Sequence, residues 1–399
     1  MIKNCTLRAT LLVAAALALP LHADEVPRVL LSCDAAEKIE LKNADLLRDE
    51  PNAAFGYCAY KVSTRGKKET VTLRRVLPAP LTLDHHVVTT WLRITDLEAV
   101  GELTVDLKRG NDWERHYFQG NRIALRMIRR NDWSAVTFTP QGSTPVSEVQ
   151  ITIRDTGHPA TVWIGRVAAM PKTIDHGIVS ITFDDGWVSV YHAARPIMDR
   201  YHYAGTAYIT TGLVGTDKHM SLPQLLKLQD VHGWDIASHM VDHEDVSSLP
   251  QAQIIKQLRE SKIWLLNHGF RRGAEHVAFP FGGFDAEEVR TQVRYLYRSA
   301  RLIDGPMETL PVGDPWRLRV FLVLNTTSVA DVAAKIDEAL RNRDWLILVF
   351  HRIEPANVKA QYDTQYPEPQ FSQIIDTLYQ KKAAVEPVSR VIHELGFDY

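Results

Sequence analysis

The chain has 399 residues, enough for two or three domains that each bury a core. Its 45% hydrophobic and 24% charged residues are ordinary for a globular protein and exclude a disordered or fibrous chain. With a formal net charge of -2 there is no broad basic field, so neither nucleic acid nor an anionic membrane is an expected partner.

Lys3 and Arg8 precede an apolar run from Leu11 to Leu21 that ends in LHAD. A positive start, a short apolar stretch and a small residue at Ala23 form the pattern of a secretion signal over 1–23, removed in the mature protein. The run is too short for a membrane span, which takes about 20 apolar residues. The mature protein is therefore expected in the periplasm or outside the cell. Cys5 falls inside the signal, leaving Cys33 and Cys58. In an oxidising compartment these form one disulfide or stay as two buried thiols, and both readings stand at this point. The absence of cysteine from the C-terminal half excludes thiol chemistry or a Cys-ligated zinc there.

Residues 24–170 read as all-β. The runs at 87–94, 101–110, 122–128, 133–140, 148–155 and 160–170 alternate apolar with polar residues and are separated by Gly, Asn, Asp and Pro turns. Such spacing predicts a sandwich or jelly roll. The stretch SEVQITIRDTGHPATVWIGRV resembles the galactose-binding-like sandwiches that accompany carbohydrate-active enzymes. Trp91, Trp113, Tyr117, Trp133 and Trp163 are candidates for stacking on sugar rings, with core packing as the competing use.

From 171 to 399 strands alternate with helices. Strands are expected at 178–183, 205–210, 234–238, 276–279, 297–301 and 345–350. Helices are expected near 191–202, 221–231, 249–267, 286–295, 328–342 and 371–382, the third with Ser248 as N-cap and Pro250 in its first turn. This alternation predicts a parallel sheet or a distorted (β/α) barrel, with functional residues at the C-terminal ends of the strands. The whole chain is then α/β in its C-terminal part, preceded by an all-β sandwich.

Four strand ends carry residues able to do chemistry. SITFDDGW (180–187) sets Asp184 beside Asp185, two carboxylates that repel unless a cation or a proton-transfer role holds them together. SHMVDH (238–243) supplies His239 and His243, which would share one face if the stretch were a helical turn. AFPFGG (278–283) breaks a strand at a Pro/Gly turn, and LILVFH (346–351) ends a buried strand on His351. His85, His86, His192 and His202 have no evident partners.

The set and its order resemble the polysaccharide deacetylases, carbohydrate esterase family 4. TFDDG (182–186), SHMVDH, FPFG (279–282) and FH (350–351) match successive motifs of that family, and RSARLIDG (298–305) and WRLRV (316–320) look like its later segments. The resemblance covers roughly 176–390. It implies a divalent metal on Asp185, His239 and His243, with Asp184 as general base and His351 as the acid. It also implies an oxyanion site at the Phe281 N–H beside Pro280. Three protein ligands leave a position open for water, as in catalytic rather than structural sites. The donor set accepts Zn²⁺, the expected metal, or Co²⁺ or Ni²⁺. The implied reaction removes N-acetyl groups from an amino-sugar glycan. Ala278 stands where the family often has an Arg that orients the base, and Arg301 is the candidate substitute. Val349 stands where Leu is common, making a smaller wall for the acetyl group. An O-acetyl esterase or small-amide hydrolase on the same scaffold is the first alternative. A silent glycan-binding protein is the second, opposed by the survival of all five residues. The sequence carries no signal for oligomeric state.

Overall fold

The computed structural model describes residues 27–33, 37–54, 57–118, 127–282, 287–358 and 360–394. The signal-like segment and most of the strand expected over 122–128 lie outside them. Two antiparallel sheets occupy the region before residue 172. One runs in the order Asp45–Ala54, Tyr57–Ser63, Thr161–Pro171, His86–Ile94, Ser134–Phe138, with Arg28–Leu31 also paired to Thr161–Pro171. The other runs Glu40–Lys42, Thr70–Leu81, Val146–Asp155, Val100–Arg109, Asp112–Tyr117. Alternation explains the packing: along His86–Ile94, residues 88, 90, 92 and 94 are buried and 89, 91 and 93 are not. Val88, Leu92 and Val162 of the first sheet meet Leu73, Val105 and Ile151 of the second in one core. Cys33 and Cys58 are joined as a disulfide. The faces of Trp163 and Trp113 are occupied by cations: Lys61 and Arg93 over the first, Arg74 and Lys108 over the second.

After residue 177 the chain builds an eight-stranded parallel sheet, an open half-barrel. Its order is Ser299–Arg301, His276–Ala278, Asp235–Ser238, Thr206–Ile209, Ile178–Phe183, Trp345–Phe350, Phe321–Leu322, with Ala384–Val385 also beside Ile178–Phe183. The two central strands are buried on both faces, which is why they read as continuous apolar runs. Val179, Ile181, Phe183, Leu346, Leu348 and Phe350 face the helical layer, while Ile178, Trp345, Ile347 and Val349 face the barrel interior. This is the fold class expected from the sequence.

Two local readings need correction. The helix Gln251–Asn267 is preceded by Pro250 at the N-cap position, and Ser248 instead closes a short turn, Val246–Ser248. Asp245 caps that turn by accepting from the Ser247 N–H, so the polar run is consumed one turn earlier. The helix expected near 191–202 is a π-type turn, Val190–Ala194, running into Arg195–Asp199.

His276 stands at the opposite end of its strand from the candidate site, 2% exposed, with Nδ1 paired to the Ser299 hydroxyl at 2.8 Å. Burial pushes its pKa down to about 4. The fold therefore holds the ring neutral while the unfolded chain protonates it near 6.5. Its contribution is complete above pH 6.5 and is lost as pH falls from 6.5 towards 4, by up to about 3 kcal/mol. Urea titrations at pH 7 and pH 4.5 should show a smaller loss of stability in His276→Gln than in the wild type. An equal loss in both would contradict this.

Candidate active site

The strand Ile178–Phe183 delivers the two aspartates to the C-terminal edge of the sheet. The Asp184 N–H donates to the Phe350 carbonyl at 3.0 Å, so its backbone still belongs to the sheet. Asp185 then takes a left-handed conformation, φ 70°, followed by Gly186 at φ 88°. Glycine is required there: a Cβ on Gly186 would lie 3.2 Å from Ile209 in a backbone state that side chains disfavour. Met240 and Phe281, at two neighbouring strand ends, are also left-handed, with φ 64° and 56°. Among the described residues ten non-glycine positions have positive φ, and three of them, Asp185, Met240 and Phe281, stand together at strand ends around this cleft.

Asp185 Oδ1 lies 3.3 Å from His239 Nε2 and 3.0 Å from His243 Nε2, and one ligand atom from each residue falls within 4.8 Å of the others. The histidines are not on a helical turn. A loop reversal at Met240 brings them together, with ring centroids 5.3 Å apart. His239 Nδ1 donates to the Ala278 carbonyl at 2.8 Å, and a carbonyl only accepts, so in the neutral ring Nε2 carries a lone pair aimed at Asp185. The buried Oδ1 accordingly finds no hydrogen-bond donor. Oδ2 accepts from Trp187 Nε1 at 2.7 Å, which fixes the carboxylate plane. Burial raises the Asp185 carboxyl pKa, and the lowering influence of His239 and His243 that outweighs it applies when those rings are protonated and donating. Two imidazole nitrogens converging on one carboxylate oxygen suit a divalent cation.

Asp184 is 2% exposed and pairs with Arg301, which is 1% exposed. Arg301 also donates through Nη1 to the Leu302 carbonyl at 3.1 Å and lies 4.6 Å over the Tyr208 ring. Ala278 and Arg301 are register partners on adjacent parallel strands. The guanidinium therefore arrives from one strand over, beside the position where the resemblance expected an Arg. The side chain of His351, 16% exposed, sets Nε2 3.9 Å from Asp184 Oδ2, and Nδ1 is buried without a partner. Burial lowers its pKa to about 4, with Arg301 adding to the effect against Asp185. The imidazole is thus neutral at pH 7.

Phe281 is 53% exposed with its ring edge-on to His243, centroids 5.0 Å apart, and Pro280 is buried behind it. Val349 is fully enclosed in the interior cluster and presents no wall to the cleft. Sequence reasoning missed Trp187, whose ring also stacks on His219 at 4.5 Å and lies under Arg352 at 4.7 Å. Its signal was present, two residues beyond Asp185 in the same motif.

The parallel half-barrel carries at its C-terminal edge an Asp/His/His donor set able to hold a metal ion and a buried carboxylate–arginine pair. Residues 172–299 match the family model of polysaccharide deacetylase, and this part of the chain is a polysaccharide deacetylase domain. Bacillus subtilis (strain 168) YxkH, a protein named as a polysaccharide deacetylase, is 27% identical over 120 residues, 30% of this chain and 42% of that protein. The poly-beta-1,6-N-acetyl-D-glucosamine N-deacetylase of Staphylococcus aureus (strain MRSA252) is 29% identical over 117 residues, 26% of this chain and 40% of that protein. The chain thus spans about two fifths of the length of these relatives. The solved structure of peptidoglycan deacetylase PdaC from Bacillus subtilis aligns at a TM-score of 0.40 and 14% identity, over 56% of this chain and 93% of that one. Among the described residues no helix is long and apolar enough to cross a membrane.

Proposed function

We infer that the chain is a metal-dependent hydrolase that removes N-acetyl groups from an amino-sugar glycan. The observation that carries this reading is the meeting of Asp184, Asp185, His239, His243 and His351, from three separate strand ends, inside a polysaccharide deacetylase domain. Asp185, His239 and His243 would hold the cation, zinc by preference, with Co²⁺ or Ni²⁺ also suited. When bound, it supplies Lewis-acid polarisation of the acetyl carbonyl and acidifies water. Asp184, oriented by Arg301, takes the proton from the attacking water. Burial lowers the His351 pKa, which favours a ring that gives up its proton readily. It receives a proton from the Asp184 side, 3.9 Å away, and delivers it from Nε2 to the leaving nitrogen. The Phe281 N–H, at the turn beside Pro280, is the proposed donor to the developing oxyanion. The water's proton thus ends on the freed amine, and acetate leaves.

The Staphylococcus aureus relative, named for an N-acetyl-glucosamine polymer, supports an amide over an ester substrate. The Cys33–Cys58 disulfide supports secretion into an oxidising compartment, as the signal-like segment does. Metal-loaded protein is expected to release acetate from N-acetylglucosamine oligomers, and chelated protein to release none. Acetate released only from acetylated xylan would shift the reading to an O-acetyl esterase. Sugar binding with no acetate release from either substrate would leave a glycan-binding protein.

A further inference from the structure

The residue after Arg301 does not pack in the barrel. Leu302, 2% exposed, is buried in the hydrophobic core of the N-terminal sheets, together with Phe118, Met127 and Ile128. Its N–H donates to the Leu318 carbonyl at 2.9 Å, and the Leu318 N–H donates back to Ala300 at 2.9 Å. Residues 300–302 are therefore clamped by the segment that carries Arg319. Arg319, 4% exposed, donates through Nη1 to the Thr137 carbonyl at 2.7 Å and through Nη2 to the Thr137 hydroxyl at 3.0 Å. It is ion-paired to the buried Glu308, which also accepts from the Arg319 and Thr309 N–H groups. Thr137 lies on Ser134–Phe138, the edge strand of the six-stranded sheet. Gly313 meets the same strand so closely that a Cβ there would lie 2.8 Å from Thr137 Cγ2. Arg129 adds an ion pair to Asp314 at 2.6 Å.

These contacts form one continuous path from the edge strand to Asp184. Thr137 and Glu308 hold Arg319, the Leu318 backbone holds residues 300–302, Leu302 is seated in the N-terminal core, and Arg301 holds Asp184. We propose that the N-terminal sheets position the proposed base, with Leu302, Arg319 and Thr137 as positioning residues acting through Arg301. This rests on the reading of Asp184 as the base. It gives the N-terminal region a use in turnover that needs no bound sugar.

Two variants test it in the full-length, metal-loaded protein. Leu302→Ala removes the anchor; Thr137→Val keeps shape and removes the hydroxyl that Arg319 and Thr309 use. Leu73→Ala, a truncation of the same core on the five-stranded sheet, is the control for general destabilisation. Amide hydrogen exchange should speed severalfold at 300–302, 318–319 and 184–186 in both test variants, and not at 184–186 in the control. On an acetylated oligomer, Leu302→Ala should lower kcat about tenfold with KM and metal content unchanged. Placed in an Arg301→Ala background it should cost nothing further, because both changes break one path. Unchanged exchange at 184–186, equal effects from Leu73→Ala, or losses that multiply in the double variant would each overturn the proposal. A wild type that releases no acetate would instead sink the deacetylase reading, while the exchange data would still decide whether the path exists.

Discussion

Asp184→Asn is expected to lower acetate release by roughly 1,000-fold while the protein still binds its metal. The substitution preserves size and shape, and leaves Asp185, His239 and His243 untouched. A carboxamide cannot take a proton from water, so the loss would fall on kcat rather than on KM. It also removes the charge opposite Arg301, which is 1% exposed and has Nε buried without a partner. Leaving a buried guanidinium without its counter-ion typically costs about 3–5 kcal/mol, so a lower melting temperature should accompany the loss of rate. Stability and catalysis are separated by assaying well below the transition. They are separated again by Asp184→Glu, which retains the charge but displaces the carboxylate. Near-normal turnover in Asp184→Asn, with metal content confirmed, would remove Asp184 as the base. His351, the other proton-active group within 3.9 Å, would then have to take that role.

How much of the fold and the site is readable in the sequence depends on where each contact lies along the chain. The apolar run before Asp184 and the abrupt end of LILVFH at His351 mark central parallel strands, because such strands are buried on both faces and need no alternation. Once strand ends are located, the rule that parallel sheets work at their C-terminal edge gathers Asp184, Asp185, His239, His243 and His351 with no further information. The means of gathering is less legible. The spacing of His239 and His243 suits a helical turn, yet the chain uses a left-handed Met240, and the Met240 and Val241 carbonyls accept from the Thr211 and Gly212 N–H groups, contacts that local propensity does not announce. The contact between Arg301 and Asp184 joins residues 117 apart, and nothing local to either announces it. Only the role that Ala278 leaves unfilled points to it. Leu302 reads as the tail of a barrel strand, and only the fold shows that its side chain belongs to the other region's core. The strands before residue 86 lack sustained alternation, as in DLLRDEPNAA, so they read as a β-rich region rather than one by one.

Arg301→Ala is expected to lower kcat by roughly 100-fold, leaving metal content near normal, since its contacts are with Asp184 and not with Asp185, His239 or His243. The register of the two strands allows a sharper expectation. Ala278 and Arg301 are paired neighbours in a parallel ladder, so their side chains leave the sheet on the same side. Ala278 clusters with Tyr208 and Ala237, and Arg301 lies over that same Tyr208 ring. Position 278 is thus small because the Arg301 side chain already fills the space above it. Ala278→Arg alone should crowd two guanidinium groups into one site and destabilise the fold. In the Arg301→Ala background the space is free, and Arg at 278 can reach Asp184 while inheriting the Tyr208 face. The double variant should recover at least roughly tenfold of the lost kcat. That recovery would show that the site needs a buried cation against the base and is indifferent to the strand that supplies it. If the double variant is no better than Arg301→Ala, the position of the guanidinium matters as well as its charge. The anchoring of Leu302 in the N-terminal core would then be the feature that sets that position.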